Sequence, residues 1–400
     1  MKQVWEIKKL VDVVDFQRGL TYSKKDEVDF SNNIVLRSNN VNLKTNSLDF
    51  NDLRYISDKI EIPDSKKVTK GSLIVCTANG SKSHLGKVAL IDNDYGYAFG
   101  GFMGLLKPKE TLNSNFLFYA VTSNAYKKFI GALSDGANIN NLKFSDLGNF
   151  EIALPPLPEQ QRIVSILDEA FSNISKARDN AEQSLKNVKE LFESYLQSVF
   201  TNKGDEWSED KLCSVCDLKS GTTISPSLER ESGDVLYTKV SDMTLPENLI
   251  EINTSNRFVN SNEIKINQII PKGSIIFPKR GGAIATNKKR KIVKPTIVDL
   301  NTMAIIPSKK IDKDFLFYWF SLIDLNDISN GTSIPQINNY SFDEIYISYP
   351  ISLKEQSVIV KKFEELSAET KRLETIYQQK LNDLEELKKS VLQKAFNGEL

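Results

Sequence analysis

Four groups of residues in this sequence have types and spacings that could do chemistry. Cys213-Ser-Val-Cys216 is a CxxC pair, a spacing used by zinc and dithiol sites. Gly80-Ser-Lys-Ser-His-Leu-Gly86-Lys87-Val88 resembles a phosphate-binding loop, and Gly100-Gly101-Phe102-Met103-Gly104 is rich in glycine. The stretch Lys279–Lys294 carries seven basic residues and no acidic one. The first three fail as reaction centres. With one histidine and three cysteines in the chain, a four-ligand zinc site lacks ligands. The same inventory makes Ser/His/Asp and Cys/His arrangements hard to build. Five residues rather than four separate Gly80 from Gly86, and Val88 stands where Ser or Thr would hold magnesium. The Gly100 segment lacks a strand–GxG–helix context, and no methyltransferase tetrapeptide of the Asp/Asn-Pro-Pro-Tyr/Phe type and no helicase motif is present. The chain is expected to catalyse nothing by itself and to bind no cofactor or metal.

The basic clusters point to a ligand instead. Lys279, Arg280, Lys288, Lys289, Arg290 and Lys291 fall in one loop, with Asn287 among them. Far upstream, Lys70, Lys82, His84 and Lys87 form a second acid-free stretch with Asn79 and Ser81. Lysine and arginine suit phosphate, and asparagine and serine suit base edges, so nucleic acid is the expected ligand. The bland alternative is a solvated lysine-rich loop. Two further segments, Ser134–Leu142 and Ser329–Ile337, alternate polar groups with Ile or Leu. Asn138, Asn140, Ser333 and Gln336 there could touch phosphate or base, or could close turns on their own backbone.

Composition limits the rest. Lys+Arg and Asp+Glu are both 52, so net charge is zero, which argues against a protein that coats nucleic acid without specificity. Hydrophobic residues make up 40% and charged residues 26% of 400, as in a globular chain of two or three domains. No apolar run approaches the roughly 20 residues that span a bilayer. The first residues have no leader-like apolar stretch, and sparse cysteines exclude a disulfide scaffold. A cytoplasmic protein without membrane contact is expected.

The elements that must position these groups are set by an internal repeat. Trp5–Gly19 matches Trp207–Gly221, and Lys70-Gly-Ser-Leu-Ile-Val75 matches Lys272-Gly-Ser-Ile-Ile-Phe277, both at an offset of 202. Phe116–Tyr119 matches Phe315–Tyr318, Leu157-Pro-Glu-Gln160 matches Leu353-Lys-Glu-Gln356, and Leu191–Phe200 matches Leu387–Phe396. Preserved order with a drifting offset means one unit duplicated, hence a pseudo-twofold protein. The repeat also judges the CxxC pair. Its counterparts are Val11 and Val14, so both cysteines are expected to be buried structural thiols.

Each copy begins with short apolar runs broken by Gly, Asn, Asp and Ser, which read as strands of a mostly β domain with short helices near Asn115–Ile130 and Lys313–Ile323. Each copy ends in a long helix, because residues 159–200 and 351–397 hold no Gly or Pro. In the second stretch Ile359, Phe363, Leu366, Leu373, Tyr377, Leu384, Leu387 and Val391 fill a and d positions, with Thr370 and Lys380 as the exceptions. A helix roughly 60 Å long cannot hide such a stripe on a small domain, so the two helices are expected to pair. Gly204 and Gly398 stand where C-terminal caps belong.

Leu154-Pro-Pro-Leu-Pro-Glu-Gln-Gln-Arg-Ile-Val164 then resembles the signature of type I restriction-modification specificity subunits, at the junction of a target-recognition domain and a helix. The resemblance covers the whole chain; the second junction, Tyr349–Gln356, keeps one of the prolines. It implies an α+β fold: recognition domain 1 over 1–155, a helix over 156–203, recognition domain 2 over 204–350 and a helix over 351–400, with the helices antiparallel in a coiled coil. It also implies an asymmetric bipartite DNA target and two docked adenine-N6 methyltransferase subunits carrying S-adenosylmethionine. Two motor–endonuclease subunits can join, bringing ATP and magnesium.

Overall fold

The computed structural model describes residues 5–135, 141–331 and 333–400. The chain divides into two compact units. Unit 1 is Met1–Glu182 with Gln378–Leu400, and unit 2 is Gln183–Tyr377.

In unit 1 the strand Glu6–Lys9 pairs antiparallel with Glu151–Leu154. A one-turn helix, Leu10–Val13, leads into Val14–Arg18, the edge of a four-stranded antiparallel sheet. That sheet continues through Met103–Pro108, Leu73–Cys76 and Val88–Leu90. A second sheet holds Glu27–Val28, Arg54–Ile56, Asn33–Leu36 and Ala98–Phe99, the last pair parallel. All four residues of Leu73–Cys76 are buried because both faces are covered. Leu73 and Val75 join a core with Phe116, Leu117, Ile163 and Leu167, whereas Ile74 and Cys76 join one with Leu36, Phe99 and Leu105. A central strand covered on both faces reads as a continuous apolar run, not an alternating one.

Unit 2 repeats the plan. Trp207–Lys211 pairs with Tyr346–Pro350. Cys216–Ser220 opens a sheet that continues through Thr302–Pro307, Ile275–Pro278, Arg290–Ile292 and Glu251–Ile252. Phe258–Val259, Val235–Thr238 and Thr296–Val298 form the second sheet. The expected α+β duplication is therefore the observed architecture.

Two repeated residues have a direct steric or polar cause. A Cβ on Gly19 would lie 2.0 Å from the Gly100 carbonyl oxygen, and one on Gly221 would lie 1.9 Å from that of Asp299. Only glycine lets the chain leave the edge strands Val14–Arg18 and Cys216–Ser220 so close to the second sheet of each unit. Gln160 and Gln356, the last residues of the Leu-x-Glu-Gln motif, are fully buried. Gln160 Nε2 donates to the Thr111 and Pro155 carbonyls, and its Oε1 accepts from Asn113 N at 2.8 Å. Gln356 does the same with Lys310, Pro350 and Asp312. Asn113 and Asp312 in turn cap the helices Ser114–Ala120 and Lys313–Ser321. Each glutamine thus ties the start of a long helix to a strand end and to a helix cap.

The long helices are Leu157–Thr201 and Leu353–Phe396, and both units take segments of both. Within unit 1 Arg162 donates to the Leu400 carbonyl while Arg178 pairs with Glu385 at 2.7 Å, so the two segments run antiparallel there. The seam differs from expectation at two positions. Leu387 is 48% exposed, whereas Thr370 is buried with its hydroxyl returned to the Leu366 and Ser367 carbonyls. Gly398 has φ 69° and caps its helix as expected. Gly204 does not adopt that conformation; a Cβ there would meet the Trp207 indole at 3.0 Å. The CxxC pair is split. Cys216 is buried, but Cys213 is exposed, as is its repeat counterpart Val11. The apolar pattern placed both residues inward, but this position of the one-turn helix faces out.

Candidate nucleic-acid interface

The strand ends of unit 1 converge on a cleft of about 860 Å³. Arg37 follows the strand Asn33–Leu36, Arg54 opens its neighbour, and Asn79 lies beyond Leu73–Cys76. Lys24, Asn39, Tyr22 and Phe102 also line it. Arg54 Nη1 meets Glu27 at 3.0 Å, and Arg37 Nη2 meets Asp52 at 3.1 Å. The pairing leaves capacity unused: among the described residues, the Nε atoms of both arginines are buried without a hydrogen-bond partner. Asn39 and Arg37 hold the Asp52 carboxyl below the usual carboxylate range. Asn79 Nδ2 donates to Ser38 Oγ at 3.0 Å, which fixes the amide at the cleft wall. Guanidinium and amide groups set on strand ends around a concavity suit phosphates and base edges.

Unit 2 carries a second version. By strand pairing Arg257 stands where Arg54 does, and Lys239 where Arg37 does. Glu229 accepts from both, with Lys239 Nζ at 3.2 Å and Arg257 Nε at 3.3 Å. The fully buried Asp242 occupies the position of Asn40; each caps a short 3-10 turn through the preceding main chain, Asp242 from Lys239 N and Asn40 from Arg37 N. Sequence reading missed Arg37, Arg54, Lys239 and Arg257. The repeat itself carried a signal for them: Glu27 and Glu229 match at the offset of 202.

The structure joins two segments that the sequence kept apart. Arg280 bridges Gln336, Gly281 N donates to Pro335 O, and Ile337 N donates to Lys279 O. Ala78 bridges Asn141 in the same way in unit 1. Lys279 reaches Ser220 Oγ at 3.0 Å, Arg280 is exposed, and Ser333 is exposed on the same loop. Asn138 and Asn140 lie outside the described residues.

The structure gives several of the expected phosphate contacts partners within the protein. Lys87 is buried, its Nζ donating to Val41 O at 2.9 Å and lying 3.0 Å from His84 Nδ1. Lys289 is buried over the Phe320 ring and donates to Asn287 Oδ1 and Ile323 O, and burial pulls it down to about 8. Arg290 donates to Met243 O and Lys289 O, and Lys291 is held between Asp314 at 2.9 Å and Glu251 at 3.2 Å. Asn287 has φ 50° and spends its amide oxygen on Leu325 N and Lys289. Lys87 is engaged inside unit 1, and the Asn287, Lys289, Arg290 and Lys291 side chains are engaged inside unit 2. A run of basic residues on a strand alternates in direction, so it could not all face one ligand. Lys288 is half-buried, Lys70 is exposed, Lys82 is exposed on a 3-10 turn, and Ser81 pairs with Ser83. Among the described residues no three of His, Cys, Asp and Glu gather as metal ligands, and no helix is long and apolar enough to cross a membrane.

Each unit thus carries a corresponding cluster of basic and acidic side chains on the same strand ends, with different residues in the two copies. The chain matches the family described as "Type I restriction modification DNA specificity domain" over residues 2–183 and 204–386, and it belongs to that family of specificity subunits. It is 24% identical to the type I restriction enzyme EcoKI specificity subunit of Escherichia coli K12 over 426 residues, covering 99% of this chain and 89% of that protein. It is also 24% identical to the StySPI specificity subunit of Salmonella potsdam over 421 residues, with the same coverage. In fold it resembles a chain solved in work on complex assembly and conformational transition of the type I R-M system, at a TM-score of 0.79 and 18% identity, covering 99% and 98% of the two chains. The HsdS subunit from Thermoanaerobacter tengcongensis gives a TM-score of 0.69 at 18% identity, covering 100% and 98%.

Proposed function

We propose that each unit meets one half of an asymmetric bipartite sequence in double-stranded DNA, with a fixed gap between the halves. The observation that carries this is the paired substitution within one scaffold. Arg37 and Lys239 hold one corresponding position, and Arg54 and Arg257 another, around acids at Glu27 and Glu229. A shared frame with altered side chains suits one way of gripping phosphates and two different base sequences. Duplicated units offer two equivalent docking sites to one kind of partner. Two adenine-N6 methyltransferase subunits occupy them in this reading and bring S-adenosylmethionine. Two motor–endonuclease subunits add ATP and magnesium. The chain itself reads DNA and positions its partners without catalysing, and it works in the cytoplasm.

The test is co-expression with a type I methyltransferase subunit that assembles with this chain, followed by mapping of N6-methyladenine across host DNA. A two-part motif with a constant gap, present only with this chain, is the expected result. Methylation at sites that do not depend on this chain would overturn the reading.

A further inference from the structure

Phe102 lines the unit 1 cleft and is 74% exposed. Its main chain is nevertheless firmly held. The Phe102 carbonyl accepts from Thr77 N at 2.9 Å, Ala78 N at 3.1 Å and Thr77 Oγ1 at 2.9 Å. Met103 N closes the turn on the Gly100 carbonyl at 2.8 Å, and Gly100 N is tied to Leu36 O at 2.9 Å. Gly100 and Gly101 place no side chain beside the ring. A large apolar ring in water contributes nothing to the core. Mounted on a fixed turn, it loses little further freedom when a ligand covers it.

The repeat supplies the comparison. In unit 2 the corresponding residue is Asn301, whose carbonyl accepts from Lys279 N at 2.8 Å just as that of Phe102 accepts from Thr77 N. The Asn301 amide is exposed, and its Nδ2 is held by Asp299 at 3.0 Å. One scaffold position therefore presents an aromatic ring in one unit and an amide in the other.

We infer that Phe102 is a specificity-determining residue of unit 1, its ring making an apolar contact with the C5 methyl group of a thymine in the major groove. The inference rests on the DNA-reading function proposed above. Thymine is the base with an apolar group on its major-groove edge, and an aromatic side chain suits it. The ring belongs to a concave wall beside Arg37, Asn39 and Asn79, which supply donors for phosphates and neighbouring base edges.

The experiment compares the wild-type chain with Phe102→Ala and Phe102→Leu, each assembled with its methyltransferase subunits. Methylation mapping of Phe102→Ala is expected to show one thymine position of one half-site becoming degenerate. The other half-site and the gap stay as they were. On synthetic duplexes, deoxyuridine at that position should weaken wild-type binding about four- to tenfold and leave Phe102→Ala unaffected. Phe102→Leu should fall between the two. An unchanged motif, degeneracy at a position that is not thymine, or equal sensitivity of wild type and Phe102→Ala to deoxyuridine would overturn the inference. So would complete loss of methylation in a complex that still assembles. If the wild-type assembly yields no two-part motif, the functional reading falls and this inference with it; a wild-type motif unchanged by Phe102→Ala refutes the inference alone.

Discussion

Replacing Gln160 by methionine keeps most of the side-chain volume and removes its polar end. Three hydrogen bonds are lost, to Thr111 O, Pro155 O and from Asn113 N. At about 1 kcal/mol net for each, the loss is about 3 kcal/mol. The bond to Pro155 is buried, so its stranded carbonyl adds roughly 1 kcal/mol more. The expected destabilisation of about 3–4 kcal/mol is a factor of several hundred in the folding equilibrium. Urea denaturation of the purified chain, followed by tryptophan fluorescence, measures it as a lower midpoint at unchanged slope. Gln356→Met should cost a similar amount, because Gln356 makes the same three contacts in unit 2. Gln160→Glu can still accept from Asn113 N but cannot donate to two carbonyls, and it should be at least as damaging. A loss below about 1 kcal/mol in both methionine variants would refute the idea that this glutamine fastens the helix start to the sheet and the neighbouring helix cap.

Gly19→Ala and Gly221→Ala should each abolish soluble folding or cost more than about 3 kcal/mol, because a Cβ would stand within 2.0 Å of a carbonyl oxygen. Thermal melts check this, and a shift of a degree or two would refute it. Lys289 titrates near 8 in the folded chain, below its ordinary value near 10.5, because of burial. Between those values the unfolded chain binds a proton that the folded one does not, so this group makes stability rise with pH across that window. The stability difference between wild type and Lys289→Met should therefore move in favour of wild type by up to roughly 3 kcal/mol from pH 8 to 10.5, and a flat difference would refute it. Arg280→Ala should weaken DNA binding by the assembled complex and lower its salt slope by about one, whereas Lys291→Gln should lower stability and leave the slope unchanged. The reverse pattern would return the Lys288–Lys291 run to the DNA surface.

The sequence by itself determined the duplication, the two long helices and the family signature. These are local or periodic properties: absence of Gly and Pro over forty residues, a three-four apolar spacing, and order preserved between copies. The matching glycines at 19 and 221 and glutamines at 160 and 356 were visible too, though not the close backbone approach or the three carbonyl and amide partners that require them. The tertiary structure alone decided which charges are spent. Lys87 meets Val41 O, and Lys289 meets Ile323 O, 34 residues further on, and no spacing rule announces such acceptors. The structure also assembled the cleft of unit 1. Arg37, Arg54, Asn79 and Phe102 come from four separate segments of the chain. They meet because sheet pairing sets strand ends side by side, and pairing is a choice among distant segments that local sequence does not make.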